Sequence, residues 1–383
     1  MRVLIVTAST GQGHVSAARA LQQAFARAGP QVSCAVLDAC SNRLIRSAAA
    51  TYNLVLRCRP LWMRPYFAAV HLLRVDRVGA WLTSRWAREI FRSQRPTFVV
   101  SVHPMLNFGI TSTALRLGVT MPYAVVLTDP YPPFWRGWAD PQATVTVVAS
   151  QAARDQLIRW GVPEGRITIG GMPIGSAYRR AAAAGDRAEI RERLGLQPDR
   201  FTLLVHAGSA GRPSTLRVMR ELGSATALHA SIQVVFAAGR HPALAAQIAR
   251  LELPFPVKLL DWQEDLSVLL DAVDATFTKP GGLSVYEAIA KGVPVLVDAC
   301  EGVMPQERGL AAWLETARIG WKVRRPAEVV RILGQTGSAE WQAMQARARA
   351  SVSGDAGTIA SDLLELAVSA TETRPPALPT RHP

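Results

Sequence analysis

The stretch from Ala272 to Val297 limits what this chain can fold into more than any other. It reads as a short β-branched strand (Ala272 to Thr278), a loop Lys279-Pro280-Gly281-Gly282, helical turns from Leu283 to Lys291, and a second strand beyond Gly292-Val293-Pro294. Short apolar strands without alternation suit a parallel sheet buried on both faces, and such sheets are joined by helical crossovers. Adjacent glycines let the backbone approach a ligand closely, and free amides at a helix start attract phosphate. Glu287, about one turn past the loop, is placed to accept hydrogen bonds from a ribose diol. The plain alternative for such a loop, taken alone, is a tight turn with no ligand.

The first residues follow the same logic. Arg2 to Ala8 reads as a strand, Ser9-Thr10-Gly11-Gln12-Gly13-His14 as the turn into a helix ending near Ala28, and Gln31 to Leu37 as a second strand before Asp38. A rival arises here, because Gly11-x-Gly13 with an acid after the second strand approximates a dinucleotide-binding fingerprint. Ser16 stands where its third glycine or alanine belongs. Further strands are expected at Thr97 to Val102 and Pro122 to Leu127. Functional groups of such sheets collect beyond the carboxyl ends of strands, where Gly11, His103 and Asp129 fall; a turn cap is the alternative role for Asp129. In the second half, Phe201 to His206 runs into Ala207-Gly208-Ser209-Ala210-Gly211, a second loop able to approach phosphate or sugar. Ile232 to Ala237 leads to Arg240, a candidate to offset diphosphate charge.

A length of 383 residues suits two domains, each able to bury a core, and 49% hydrophobic with 19% charged residues describes a globular chain. No run approaches the roughly 18 apolar residues that span a bilayer, and no apolar stretch follows Arg2 as in a signal peptide. Cys34, Cys40, Cys58 and Cys300 form no CxxC pair, so neither zinc nor a disulfide framework is expected. A cytoplasmic protein is the expectation. The net charge of +14 is uneven: from Arg43 to Arg95 only Asp76 and Glu89 oppose a run of arginines. Trp62, Tyr66, Trp81 and Trp86 interleave with them. This mixture suits a headgroup interface, with aromatic rings at the boundary and guanidinium groups on lipid phosphates. Nucleic-acid binding uses similar ingredients, yet no recognised module for it is visible. Ordinary core helices with solvated arginines are the bland alternative.

The segment Thr278-Lys279-Pro280-Gly281-Gly282-Leu283-Ser284-Val285-Tyr286-Glu287-Ala288 resembles the donor-binding segment of the diacylglycerol glycosyltransferases. These are the monogalactosyldiacylglycerol synthases of plastids and the processive diacylglycerol glucosyltransferases of bacteria, in the superfamily of the lipid-II-forming N-acetylglucosaminyltransferase. Gly13-His14, His103-Pro104, Thr128-Asp129, Met172-Pro173, Gly208 and Gln306-Glu307 resemble further family segments in the expected order. The resemblance implies an α/β protein with two Rossmann-like domains facing a cleft, the GT-B arrangement. An acceptor domain would cover 1–175, a linker 176–198 and a donor domain 199–350, with a helix over 351–370 returning to the first domain. The proline-rich residues 371–383 read as a disordered tail.

The resemblance also implies inverting transfer of a hexose from a UDP-sugar to a lipid hydroxyl, diacylglycerol foremost, at the inner face of the cell membrane. His14 would accept the hydroxyl proton, helped or replaced by Asp129. The donor would be held by Gly208, Ser209, Arg240, Leu260, Trp262, Lys279, Gly281, Gly282, Leu283, Ser284, Glu287, Gln306 and Glu307. Leu260 and Trp262 would lie by the base, and Gln306 and Glu307 on the sugar hydroxyls. Gly13, His103, Trp62, Tyr66, Trp81, Arg85, Trp86 and Trp135 would form the acceptor and membrane side. Leu310 departs from the family's usual Asn, which leaves the sugar open and, with it, a non-catalytic membrane-binding descendant. A related enzyme for a polyprenyl-linked or small soluble acceptor is the other alternative. No metal or further cofactor is expected, since the donor half shows no carboxylate cluster. The expected partners are the nucleotide-sugar, the lipid and an anionic membrane surface, and no nucleic acid.

Overall fold

Parallel strands lie buried on both faces, and the sequence supplies what that requires: β3 (Phe98–Ser101), β4 (Tyr123–Val126) and β5 (Val145–Val148) are buried at every position. The computed structural model describes residues 1–47, 49–50, 80–180, 186–208 and 211–372, together with positions 65, 67–69, 73 and 77. Within these, β1 (Arg2–Thr7), β2 (Ser33–Asp38) and β6 (Ile167–Ile169) complete a six-stranded parallel sheet of order β2-β1-β3-β4-β5-β6. A second parallel sheet has the order β12-β11-β10-β7-β8-β9. Its strands are β7 (Phe201–His206), β8 (Ile232–Ala237), β9 (Val257–Leu260), β10 (Ala275–Thr278), β11 (Val295–Asp298) and β12 (Gly320–Val323).

These orders decide where ligands can sit. Strand order reverses between β1 and β3 in the first sheet and between β7 and β10 in the second. Helices leave to opposite faces at such a point, and the crevice opens beyond the strand ends. His14, in the first turn of the helix Gln12–Arg27, and His103 follow β1 and β3; Gly208 and the stretch from Lys279 to the helix start at Gly282 follow β7 and β10.

The strand expected from Ala272 begins three residues later. Ser267–Ala272 closes a short helix, and Asp274 is held in place by Arg187, Arg191 and the backbone of Thr202. Arg187 and Arg191 lie on the helix Asp186–Arg193, so this part of the expected linker is fastened to the second sheet.

One apolar cluster joins the lobes. It runs from Leu21 and Phe25 of the helix Gln12–Arg27 through Met172 and Ile174 to Leu283, Val285 and Ile289 of the helix Gly282–Ala290. Ile359 and Leu363 of the last helix, Ala356–Glu372, belong to it and pack on the helix Gln12–Arg27. The chain reaches that helix by crossing itself. Gly171 (φ +87°) and Gly354 (φ +68°) lie so close that a Cβ on Gly171 would strike the Ser353 carbonyl, and one on Gly354 the Gly170 carbonyl. Positive φ and contact distance both demand glycine there.

Candidate active site

His14 stands in the first turn of the helix Gln12–Arg27, directly above the β1–β3 reversal. Its Nδ1 lies 2.8 Å from the Val102 carbonyl and 2.9 Å from Thr128 Oγ1. A carbonyl only accepts, so Nδ1 carries the proton and Nε2 the lone pair. The ring meets His103 edge to face at 4.6 Å. Burial, opposed by the Val102 bond and reinforced by the charge of Lys279, lowers the His14 pKa to about 4. The imidazole is therefore neutral at physiological pH and free to take a proton.

Asp129 follows Thr128 at the end of β4. Its Oδ2 accepts from Trp138 Nε1 at 2.8 Å. The expected help for His14 does not take the form of a His–Asp pair, since His14 spends Nδ1 on Val102 and Thr128. Burial raises the Asp129 pKa to about 6, the Trp138 bond opposing it; Glu307 raises it further and Lys279 lowers it. Lys279 and Glu307 belong to the second lobe, where they pair at 3.4 Å. Groups of both lobes thus share one electrostatic neighbourhood.

The helix Gly282–Ala290 begins there. No side chain caps it, so its first amides remain for a ligand. Gly282 packs on the first lobe itself: a Cβ would collide with the Thr128 carbonyl and press on Pro130 and Met172. Gly208 (φ +69°) and Gly281 lie under the Lys279 stem, whose carbons would be 3.6 and 3.2 Å from their added Cβ atoms. The two glycine loops therefore meet around one lysine. Leu283 is buried in the core and offers only its backbone, while Ser284 is half-buried. Glu287, half-buried one turn along, has its pKa raised to about 7 by burial and then by Asp265.

The remaining expected donor residues divide. Trp262 follows β9, and Arg240 lies over its ring at 4.6 Å. The Trp262 Nε1 and the Gln306 Oε1 are buried without a partner among the described residues. Leu260 is half-buried at the end of β9. Leu310 is in the core at 1% exposure, so the residue at the family's Asn position packs inward.

On the acceptor side Gly13 is exposed and Trp135 packs tilted on Phe67 at 4.4 Å. His103 is buried, at 4% exposure. Along the helix Ala80–Ser93, Trp81 is 75% exposed and Arg85 is exposed, whereas Trp86 is a core residue at 4%. Trp86 therefore supports the helix from within and presents nothing to a membrane. Trp62, Tyr66 and Ser209 lie outside the described residues.

Sequence reasoning missed several partners. The Val102 carbonyl is a backbone group with no sequence signal, and Trp138 is one of four aromatic residues between Tyr131 and Trp138, with nothing to single it out. Tyr131 stacks on Trp313 at 4.8 Å and Trp313 on Tyr286 at 5.9 Å, joining the loop after Asp129 to the second lobe. The dinucleotide rival loses its key residue: Asp38 accepts from Ser9 and from the Cys40 amide, so it is committed to its own loop. Among the described residues no three His, Cys, Asp or Glu side chains converge as a metal site, and no helix is long and apolar enough to cross a membrane.

Two parallel sheets meeting at their reversal points, with glycine loops on one side and a neutral histidine on the other, define a GT-B-fold protein. Solved structures of that shape agree. Acinetobacter baumannii MurG matches with a TM-score of 0.59 at 15% identity, over 95% of this chain and 99% of that one. Anabaena Alr3699/HepE in complex with UDP-glucose matches with a TM-score of 0.52 at 17% identity, over 97% and 99%. The family model described as monogalactosyldiacylglycerol (MGDG) synthase matches residues 14–174. The processive diacylglycerol beta-glucosyltransferase of Bacillus subtilis (strain 168) is 26% identical over 86% of this chain and 85% of its own length. The chloroplastic monogalactosyldiacylglycerol synthase of Spinacia oleracea is 25% identical over 87% of this chain and 66% of its own length. Over most of its length the chain is thus similar to monogalactosyldiacylglycerol synthases and processive diacylglycerol glucosyltransferases.

Proposed function

We propose that this protein transfers a hexose from a UDP-sugar to the hydroxyl of diacylglycerol, inverting the anomeric carbon in one displacement. One observation carries the reading: the head of the helix Gly282–Ala290 abuts Thr128, the residue that also contacts His14 and precedes Asp129. A diphosphate on the Gly282 amides and an alcohol at His14 would therefore meet at one place. His14 Nε2 takes the hydroxyl proton as the alkoxide oxygen bonds the anomeric carbon, and the bond to the diphosphate breaks with its electron pair. Lys279 and the helix amides stabilise the departing charge, with no metal required. Gln306 and Glu307 hold the sugar, Glu287 the ribose, and Trp262 with Arg240 the base side.

The acceptor lies in a membrane, and the helix Ala80–Ser93 has the form to meet one. Trp81, Arg85, Arg88 and Arg92 are all exposed and recur at helical spacing along one stripe, while Trp86, Ile90 and Phe91 are buried. This supports peripheral attachment to an anionic leaflet, the cytoplasmic face of the cell membrane. Incubation with labelled UDP-glucose, UDP-galactose and UDP-N-acetylglucosamine against a panel of lipid alcohols tests the reading. Transfer to diacylglycerol from one donor, unaffected by EDTA, is expected. Transfer only to a polyprenyl or soluble acceptor, or none from any donor, would refute it.

A further inference from the structure

His103 was expected on the acceptor side, yet it is buried at 4% exposure behind His14 and engaged at both ring nitrogens. The Met105 amide approaches Nδ1 at 3.3 Å, so Nδ1 accepts; Nε2 then carries the proton and donates to Thr10 Oγ1 at 2.9 Å. Its tautomer is the opposite of that of His14. Thr10 lies in the turn that delivers His14, and the same turn is fastened on its other side by Ser9 to Asp38. The ends of β2, β3 and β4 thus each grip the base or its loop: Asp38 through Ser9, His103 through Thr10, Thr128 directly.

We propose that His103 is a positioning residue for His14: pinned at both nitrogens, it ties the Ser9–Gly13 turn to the end of β3 and walls the His14 ring from water, keeping Nε2 as the proton-accepting nitrogen. The proposal rests on the reading of His14 as the base. His103 cannot itself relay the proton, since its accepting nitrogen faces a backbone amide. Its ring remains neutral because burial, and then the neighbouring His14, hold its pKa well below the ordinary histidine value. Of the charged groups, Lys279 from the β10 loop acts on His14; Asp129 at the β4 end is held by Trp138, whose ring lies 6.1 Å from that of His14, and Glu307 acts on Asp129. A neutral ring at 4.6 Å adds no charge to that balance and excludes solvent.

The test uses the full-length protein with UDP-sugar and diacylglycerol, and nitrogen-15 NMR of labelled histidine. In the wild type His14 is expected as the Nδ1–H form and His103 as the Nε2–H form. Thr10→Val removes only the hydroxyl that His103 grips, and kcat should fall about tenfold or more at unchanged donor KM, as a loosened reacting group costs. Thr10→Ser should restore it. His103→Asn admits water, and His14 should then titrate roughly one pH unit higher. An Nε2–H form of His14, Thr10→Ser as slow as Thr10→Val, or an unmoved His14 titration in folded His103→Asn would each overturn the proposal. His14→Ala is measured separately: full turnover there would remove the base reading itself, whatever the NMR shows of the tautomers.

Discussion

Trp138 donates its indole N–H to the Asp129 carboxylate at 2.8 Å, and its ring lies 6.1 Å from that of His14. His14 is a neutral imidazole held by a backbone carbonyl, and Asp129 is a buried carboxylate held by an indole. Both stand where the second lobe brings Lys279 and Glu307 to bear.

The Asp129 pKa of about 6 has consequences for activity and stability. Its folded value lies above the unfolded one, so it adds stability that is complete below about pH 4 and lost as pH rises through about 6. Asp129→Asn keeps an acceptor for Trp138 and cannot ionise. Its thermal midpoint should exceed that of the wild type at pH 8, with the gap closing toward pH 4. Turnover of the wild type should fall as pH drops through about 6, and that limb should vanish in the variant. A stability difference independent of pH would remove Asp129 as its source.

Glu287 titrates near 7 because burial and Asp265 disfavour its charge. A ribose diol donates to the ionised form, so UDP affinity should rise as pH increases through about 7. Glu287→Gln should weaken UDP about tenfold or more, the scale of a lost charge-assisted bond, and abolish that pH dependence. Calorimetric titration at pH 6 and pH 8 decides it; equal affinities in the wild type would exclude Glu287 from the ribose.

Gly282→Ala places a methyl group against the Thr128 carbonyl across the lobe contact. A cost of about 1–3 kcal/mol is expected in denaturant unfolding, the range for overpacking. Because the Gly282 amide is retained, kcat should drop more than UDP affinity. A variant that loses UDP binding while keeping its unfolding midpoint would show that the glycine serves the phosphate and not the lobe contact.

Arg88 and Trp81 lie on the exposed stripe of the helix Ala80–Ser93, clear of the proposed chemistry. Trp81→Ser with Arg88→Glu should reduce flotation with anionic liposomes at low salt several-fold, about 1 kcal/mol being expected for each basic residue near such a surface. Activity on detergent-dispersed acceptor should remain. Unchanged flotation would move the membrane contact elsewhere.

The sequence made the unit around Gly281 and Gly282 legible, because a glycine loop between an apolar strand and a helix has few structural solutions. Gly281, Gly282 and Glu287 could be placed on it by spacing alone. Periodicity also separated the exposed Trp81 and Arg85 poorly from Trp86, because the arginine-rich composition masked a helix whose buried face is as aromatic as its exposed one. What stayed hidden was carried by long-range contacts. No sequence signal showed that Trp138, nine positions further on, would donate to the Asp129 carboxylate, or that His14 would bond the Val102 backbone oxygen. Leu310 sits at a position read as sugar-facing, but the helix turn there directs the side chain into the core.

The helix Ala356–Glu372 packs on the helix that begins with Gln12 and His14, across the crossing of Gly171 with Gly354. On a ribosome the amino-terminal sheet therefore waits, its flank uncovered, until the second lobe and the helix Ala356–Glu372 have emerged. Translation order and assembly run opposite ways here: the sheet made before the second lobe is covered only after it.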